Sequence, residues 1–495
     1  MLRRPSRAVL SLSALLAGCT VGPDFAPPPA TPDAGYRPGG AADLATPPGV
    51  PAQHLAFGDE AAGDWWTMFR SPALNAVLQD AVAQNRDLAA ARASLDAAHE
   101  VVNEARGGLF PQIDLAGTAE RQKLNFAAFG LKQPPETFNI FSIGPTVSYS
   151  LDPFGKNRRL VEERAAQAEV QSYQTAAIYL SLTGNTVSDA LLVASLRAQI
   201  KTTEDIIRDD ENTLDLARKA VQGGAATQMD VETARSQLAT DRTLLPPLRQ
   251  QLSVARHALS VLVGKSPAEW SPPDFTLDSL TLPARVPVSL PSELVHRRPD
   301  ILASEAELHA ASAAIGVATA QLYPNITLTG GIEQIATGTG ALLTAGNNAW
   351  NIAGGLTLPL FHGGALEAQK RGAEDNFNAA LASYQQTVLV SFAQVADTLD
   401  ALQHDTEYLN ETRQSVEAAG RSLELTRRAY QAGDLALLPV LDASRVSQRA
   451  RIAYIRAQAQ RYLDTAQLFL AMGGGWWERP ELRQAGTEPS LVPAH

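Results

Sequence analysis

Leu109-Phe110-Pro111-Gln112-Ile113-Asp114-Leu115 recurs as Leu322-Tyr323-Pro324-Asn325-Ile326-Thr327-Leu328. Ala220-Val221-Gln222-Gly223-Gly224 recurs as Ala429-Tyr430-Gln431-Ala432-Gly433, and the two offsets are 213 and 209 residues. A repeat of that length is a duplicated, domain-sized unit and not a short solenoid repeat. In each copy the order runs long helix, two strands, long helices. The first copy reads as residues 58–270 and the second as 299–475, with a linker at 271–298 and a tail at 476–495. A chain that supplies the same parts twice suits a ring or tube better than a pocket.

The strands within each copy are legible from alternation. Residues 112–120 place Ile113, Leu115, Gly117 and Ala119 on one side. Residues 141–151 set Ile143, Val147, Tyr149 and Leu151 against Ser142, Thr146, Ser148 and Ser150. The second copy repeats this at about 325–333 and 350–358: Ile326, Leu328 and Ile332 oppose Thr327 and Thr329, and Trp350, Ile352, Leu356 and Leu358 oppose Asn351 and Thr357. Strands of about 9–11 residues have the length of a tilted membrane strand. One small-polar face and one apolar face is the pattern of a barrel with a wet lumen and lipid outside. The same alternation also suits a soluble antiparallel sheet with one buried face, and the strands alone leave both readings open. Four strands cannot close a membrane barrel, since the smallest have about eight. An open edge is not tolerated in lipid. If the strands lie in membrane, the chain must therefore oligomerise.

Residues 156–222 and 365–432 contain almost no Pro and read as two very long helices rich in Ala, Gln, Glu, Arg and Leu. At 1.5 Å per residue each spans roughly 100 Å. Helices of that length are usually coiled coils. Further helices, about 227–263 and 436–472, run back from the Gly223-Gly224 and Gly433 turns. Ser71-Pro72 is a good helix start, with Ser as N-cap and Pro in the first turn. That helix is expected to run to Gly107-Gly108.

The N-terminus reads as a signal. Arg3, Arg4 and Arg7 precede a short apolar run that ends in Leu16-Ala17-Gly18-Cys19. This looks like a bacterial lipobox, with residues 1–18 removed and Cys19 acylated. The plainer reading, an incidental cysteine in an ordinary signal peptide, ignores that the sulfur sits where the lipobox requires it. Cys19 is the one cysteine in the chain, so no internal disulfide or cysteine-based zinc site can form. Thr20 stands where the inner-membrane retention signal usually has Asp, which favours the outer membrane. Residues 19–57 read as a lipidated, extended leader, rich in Pro and Gly. Beyond the signal no run of 18 apolar residues occurs, so no transmembrane helix is expected. A net charge of −11 without basic runs argues against nucleic acid as a partner.

Enzyme readings find no support. The eight histidines are scattered, without metal-ligand spacing, and no nucleophile elbow or P-loop occurs. Gly338-Thr339-Gly340 lacks the third glycine and the helix of a dinucleotide loop. No catalytic residue, metal site or cofactor is expected, beyond the covalent lipid on Cys19.

In order, the lipobox, Val21-Gly22-Pro23-Asp24-Phe25-Ala26-Pro27, Trp65-Trp66-Thr67-Met68-Phe69 and Ser71-Pro72-Ala73-Leu74 resemble the outer-membrane efflux factors, the TolC-like proteins, and more closely the NodT/OprM-type lipoproteins. His296-Arg297-Arg298-Pro299-Asp300-Ile301, Phe361-His362-Gly363-Gly364 and Gly473-Gly474-Gly475-Trp476 fit the same pattern. The resemblance covers about residues 16–477. It implies a mainly α fold with a membrane β-barrel portion: a long α-helical barrel, coiled-coil in character, plus four strands per protomer, a homotrimer closing one twelve-stranded β-barrel. It further implies a passive efflux duct in outer-membrane lipid, reaching through the periplasm to a periplasmic adaptor (membrane fusion protein) and an inner-membrane pump, most simply of the RND type.

The resemblance also places a gate where the helices turn. Carried over by position, Asp230 and Tyr430 form a possible hydrogen bond, Asp442 an acidic ring of three copies, and Arg445 follows one turn later. A family arginine is Leu435 here and a family acid is Pro439, so closure through Leu435, Leu437 or Leu438 competes with the polar link. Local roles compete too. Thr227 to Asp230 has the form of a capping box, and Asp442–Arg445 of an ordinary i,i+3 pair. The rival to a duct is a lipid-anchored periplasmic coiled-coil adaptor or scaffold, which has no need of duplicated amphipathic strand pairs.

Overall fold

The structure, a computed structural model, describes residues 20–29, 35–36, 44, 52–125, 130, 132 and 134–479. The signal 1–18, Cys19, much of the leader and the end of the tail lie outside the described residues. In chain order the regular elements are β1 His54–Phe57, α1 Pro72–Gln84, α2 Arg86–Gly107, β2 Gln112–Leu124, β3 Glu136–Leu151, α3 Lys156–Gln222, α4 Gln228–Arg242, α5 Leu245–Leu262, β4 Arg285–Val288, α6 Pro291–Leu294, α7 Pro299–Ala320, β5 Asn325–Ala336, β6 Asn348–Thr357, α8 Ala365–Ala432 and α9 Leu437–Ala471. The chain divides into two units.

The first unit holds Leu95–Val170 and Ser304–Tyr384 together with the segment up to Pro28. Its sheet has the order β2-β3-β5-β6, antiparallel throughout. The register joins the alternation of the four strands into two coherent faces. Ile113 opposes Val147, Val147 opposes Gly330, and Gly330 opposes Ile352. Leu328 sits between Tyr149 and Gly354, and Ile332 faces Trp350. On the other face Thr118 lies opposite Ser142, with hydroxyls 2.7 Å apart, and Ser150 is opposite Thr327, which lies beside Gly355. The strands run further than their apolar stretches, to Leu124 and from Glu136 in the first pair, because polar residues such as Arg121 and Lys123 continue the ladder. Gly144 is required by close approach: a Cβ there would lie 2.0 Å from the Ile332 carbonyl oxygen.

The same unit pins the start of the described chain. The Arg159 guanidinium donates to Asp24 and Glu162, both at 2.7 Å, and to the Val21 carbonyl at 3.3 Å. Phe25 stacks on His309 with ring centroids 4.5 Å apart.

The second unit holds Pro29–Ser94, Gln171–Ala303 and the chain from Gln385 onward. Its core is aromatic at one end. Trp65, fully buried, stacks on Phe469 at 5.2 Å and meets Trp66 and Phe69 edge-on. Residues 54–57, at the end of the expected leader, form strand β1, paired in parallel with β4 from within the expected linker 271–298. Val286 and Val288 are fully buried, which explains why a short apolar alternation orders this stretch.

Two expected helices are broken. The span 227–263 divides at Thr243-Leu244, because Pro246 and Pro247 lack the N–H groups that an interior turn needs. The helix from Pro72 divides at Asn85. There the Asn85 side chain caps Leu88 N–H at 2.9 Å and donates to the Leu262 carbonyl at 2.9 Å. The long helices α3 and α8 cover the expected spans 156–222 and 365–432 and stop at the glycine turns. Among described helices α3 alone has a stretch long and apolar enough to cross a membrane. Its Tyr179, Val187, Leu191 and Leu196 are buried in the aromatic-ended core, so packing accounts for the apolarity.

Candidate functional site: paired helical turns and an open sheet

The two Gly-containing turns are built alike. At the end of α3, Gly224 takes φ +75° and Ala225 N–H bonds the Ala220 carbonyl at 2.8 Å. At the end of α8, Gly433 takes φ +83° and Asp434 N–H bonds the Ala429 carbonyl at 2.9 Å. Both are left-handed C-caps that only glycine adopts freely. The chain returns into α4 and α9. A small apolar cluster then joins the four helix ends, with Leu214, Val231, Leu238, Leu423, Leu437 and Leu441 buried together.

Each predicted gate residue can be placed. Asp230 closes a capping box: its Oδ2 accepts from Thr227 N–H at 2.8 Å and from the Thr227 hydroxyl at 2.7 Å, while Thr227 Oγ1 caps Asp230 N–H. Tyr430 packs against the apolar cluster. Its hydroxyl is buried and has no hydrogen-bond partner among the described residues. Burial first, and the nearby Asp230 charge second, raise its pKa. The two residues are thus neighbours without the expected hydrogen bond, because the Asp230 carboxylate is turned onto its own helix start. Asp442 and Arg445 form the i,i+3 pair at 3.5 Å, with side chains 60% and 44% exposed. Pro439 sits in the first turn of α9, where its missing N–H costs nothing.

The leucines separate. Leu437 is buried within the cluster, whereas Leu435 and Leu438 are exposed. Leu437 therefore leaves the set that could close a passage by meeting another copy. Sequence reading overlooked Asp210, Asp241 and Gln448, all buried. The signal was present: Asp210 occupies a core position of the apolar stripe formed by Ile206, Ile207, Leu214 and Ala217.

The other candidate surface is the sheet. Both edge strands, β2 and β6, have one neighbour and one open side. The apolar face is bare: Ile113 is 71% exposed, Leu115 73%, Trp350 73% and Ile352 81%. A soluble sheet would cover such a face. Among the described residues no group of three or more His, Cys, Asp or Glu is placed to hold a metal ion.

These features have known counterparts. Residues 77–265 and 290–474 match the family described as outer membrane efflux protein. The chain is 30% identical over 431 residues to the pyoverdine export outer membrane protein OpmQ of Pseudomonas aeruginosa, covering 86% of this chain and 90% of that protein. It is 30% identical over 483 residues to the probable efflux pump outer membrane protein TtgC of Pseudomonas putida, covering 96% and 97%. A solved structure of the outer-membrane channel OprN matches with a TM-score of 0.82 at 26% identity, covering 92% of this chain and 100% of that one.

The chain belongs to the outer membrane efflux protein family. It is the outer-membrane component of an efflux system of a Gram-negative bacterium, with a TolC-like fold. The adaptor or scaffold reading is set aside, and the channel kinship fits a protein that is not an enzyme.

Proposed function

We propose that three copies join edge to edge, β2 of one against β6 of the next, to close a twelve-stranded barrel in outer-membrane lipid. The observation that carries this is the registered sheet with one bare apolar face and two open edges. Within lipid every backbone polar group needs a partner, and only closure supplies it at both edges. The Thr- and Ser-bearing face then lines the lumen. The long helices of the three copies form an α-helical barrel on the periplasmic side, docked to a periplasmic adaptor and an inner-membrane pump of the RND type. Cys19, acylated, anchors each copy to outer-membrane lipid; several acyl chains give lasting attachment at about 0.8 kcal/mol per buried methylene. The duct is passive and exports small molecules selected by the pump, with no cofactor.

The turns of α3–α4 and α8–α9 form the gate. Threefold symmetry gathers Asp442 into an acidic ring flanked by Arg445, with Leu435 exposed near by to close it. Tyr430 and Asp230 brace the hairpins beneath. Like charges brought together by symmetry repel and attract cations, which suits a closed but labile constriction. Asp442 is exposed and, among the described residues, paired with Arg445 alone, so Asp442→Ala leaves stability within about 0.5 kcal/mol. In planar bilayers the purified protein conducts, and the variant conducts more, with weaker cation preference. Absence of any conductance defeats the duct; equal conductance of the two proteins defeats the ring.

A further inference from the structure

Each helical hairpin carries one pair of facing carboxyl groups across its two helices, buried in the first and half-buried in the second. In the first, Asp210 of α3 lies against Asp241 of α4, with residue exposures of only 3% and 6%. Asp241 accepts from Gln237 at 2.7 Å. One oxygen of Asp210 accepts from Gln448 of α9 at 3.4 Å. The other, Oδ2, is buried without a hydrogen-bond donor among the described residues. In the second hairpin Asp405 of α8 lies against Asp464 of α9, and Asp405 Oδ2 is again buried without a donor.

Two ionised carboxylates are acceptors only and cannot bond one another. A proton held between them supplies the missing donor and removes the repulsion. The charged groups around each pair do not substitute for it. Asp209 of α3, which adds further negative charge near Asp210, is 3.6 Å from Arg427 of α8. Gln448 brings a neutral amide. Beside the second pair stands Arg461 of α9, whose attraction is outweighed by burial and by Asp464; its Nε donates to Gln53 at 2.9 Å, and its Nη1 is buried without a partner among the described residues.

We propose that each hairpin is latched by one shared proton, between Asp210 and Asp241 in the first and between Asp405 and Asp464 in the second. The latch holds the outgoing long helix to the returning helix. Through Gln448 the first latch also holds hairpin one to α9 of hairpin two. Parting of the helices breaks these contacts and releases the proton.

Burial, then the partner carboxyl, push Asp210 and Asp405 up to about 8, against about 3.9 for an exposed Asp. The sign follows from proton linkage. The closed form holds a proton that the opened form gives up between those two values, so closure weakens as pH rises through that window. The opening equilibrium therefore rises about tenfold per pH unit, and the slope vanishes above about pH 8.

The test is amide hydrogen exchange on the purified full chain between about pH 5 and about pH 9, corrected for intrinsic exchange rates. Expected protection of α4 falls about tenfold per unit and levels off at the alkaline end. Asp210→Asn keeps an acceptor for Gln448 and gives Asp241 a donor, so it flattens the α4 response. Asp405→Asn flattens that of α8 and α9 around the second pair. Asp241→Asn reads the first pair from the other helix should Asp210→Asn not fold. A flat wild-type profile, or an Asn variant with the wild-type slope, overturns the latch. Exchange is read whether or not the protein conducts, so this outcome is separable from that of the duct.

Discussion

Replacing Ile352 by Arg removes the oligomer that unheated gels of outer-membrane fractions resolve. Ile352 is 81% exposed in the single chain and stands opposite Gly330 on the apolar face of the sheet. If that face meets acyl chains, an arginine near mid-depth costs about 2–4 kcal/mol per copy. A threefold barrel incurs that cost three times in one assembly step. The neighbouring Asn351→Arg places the same charge on the opposite, lumenal face, where water solvates it. On gels run with and without heating, wild type and Asn351→Arg migrate as an oligomer unheated, and Ile352→Arg migrates as monomer. The reverse pattern would mean that the faces are assigned the wrong way round.

Trp65→Ala destabilises the chain by about 3–5 kcal/mol. Trp65 is fully buried, stacked on Phe469 and edge-on to Trp66 and Phe69. Its indole N–H has no acceptor among the described residues, so the loss is of packing alone. The cavity is walled by Phe469 of α9 and by Trp66 and Phe69. Loss of so large a fully buried ring places the cost at the high end of core substitutions. Denaturant unfolding of the purified protein measures it. A change below about 1 kcal/mol would show that the Trp-Trp-Thr-Met-Phe stretch serves something other than this core.

Long, strongly periodic elements were legible in the sequence and short ones were not. Lys156–Gln222 and Ala365–Ala432 end where Pro-free sequence meets glycine. The four strands of the larger sheet were visible because apolar and small polar residues alternate over about ten positions, a period that only an extended strand turns into two faces. Strands β1 and β4, four residues each, gave no such signal. Their order comes from burying Val286 and Val288 in a core assembled from distant segments. The breaks at Asn85 and at Thr243-Leu244 were signalled by an Asn cap and by Pro246-Pro247, but helical periodicity on both sides masked them.

At the turn end the sequence indicated which residues come together less well than which residues lie there. Thr227 and Asp230 are three residues apart, and that spacing specified a capping box; the box then consumes the carboxylate that Tyr430 was expected to meet. Whether a leucine closes a passage depends on which way a helix start faces. Only packing decides that, and it buried Leu437 while leaving Leu435 and Leu438 outside. Asp210 and Asp241 were hidden for the same reason. An acid on an apolar stripe is conspicuous only once its partner, 31 residues away across a turn, is brought beside it.

The central claim is that the open sheet edges are completed by other copies of the same chain. Its most direct test is the mass of the purified protein in mild detergent, by light scattering with the detergent contribution subtracted. The account predicts the mass of three protomers, with strand signal protected from exchange at both β2 and β6. A single protomer, with the edge strands freely exchanging, contradicts it.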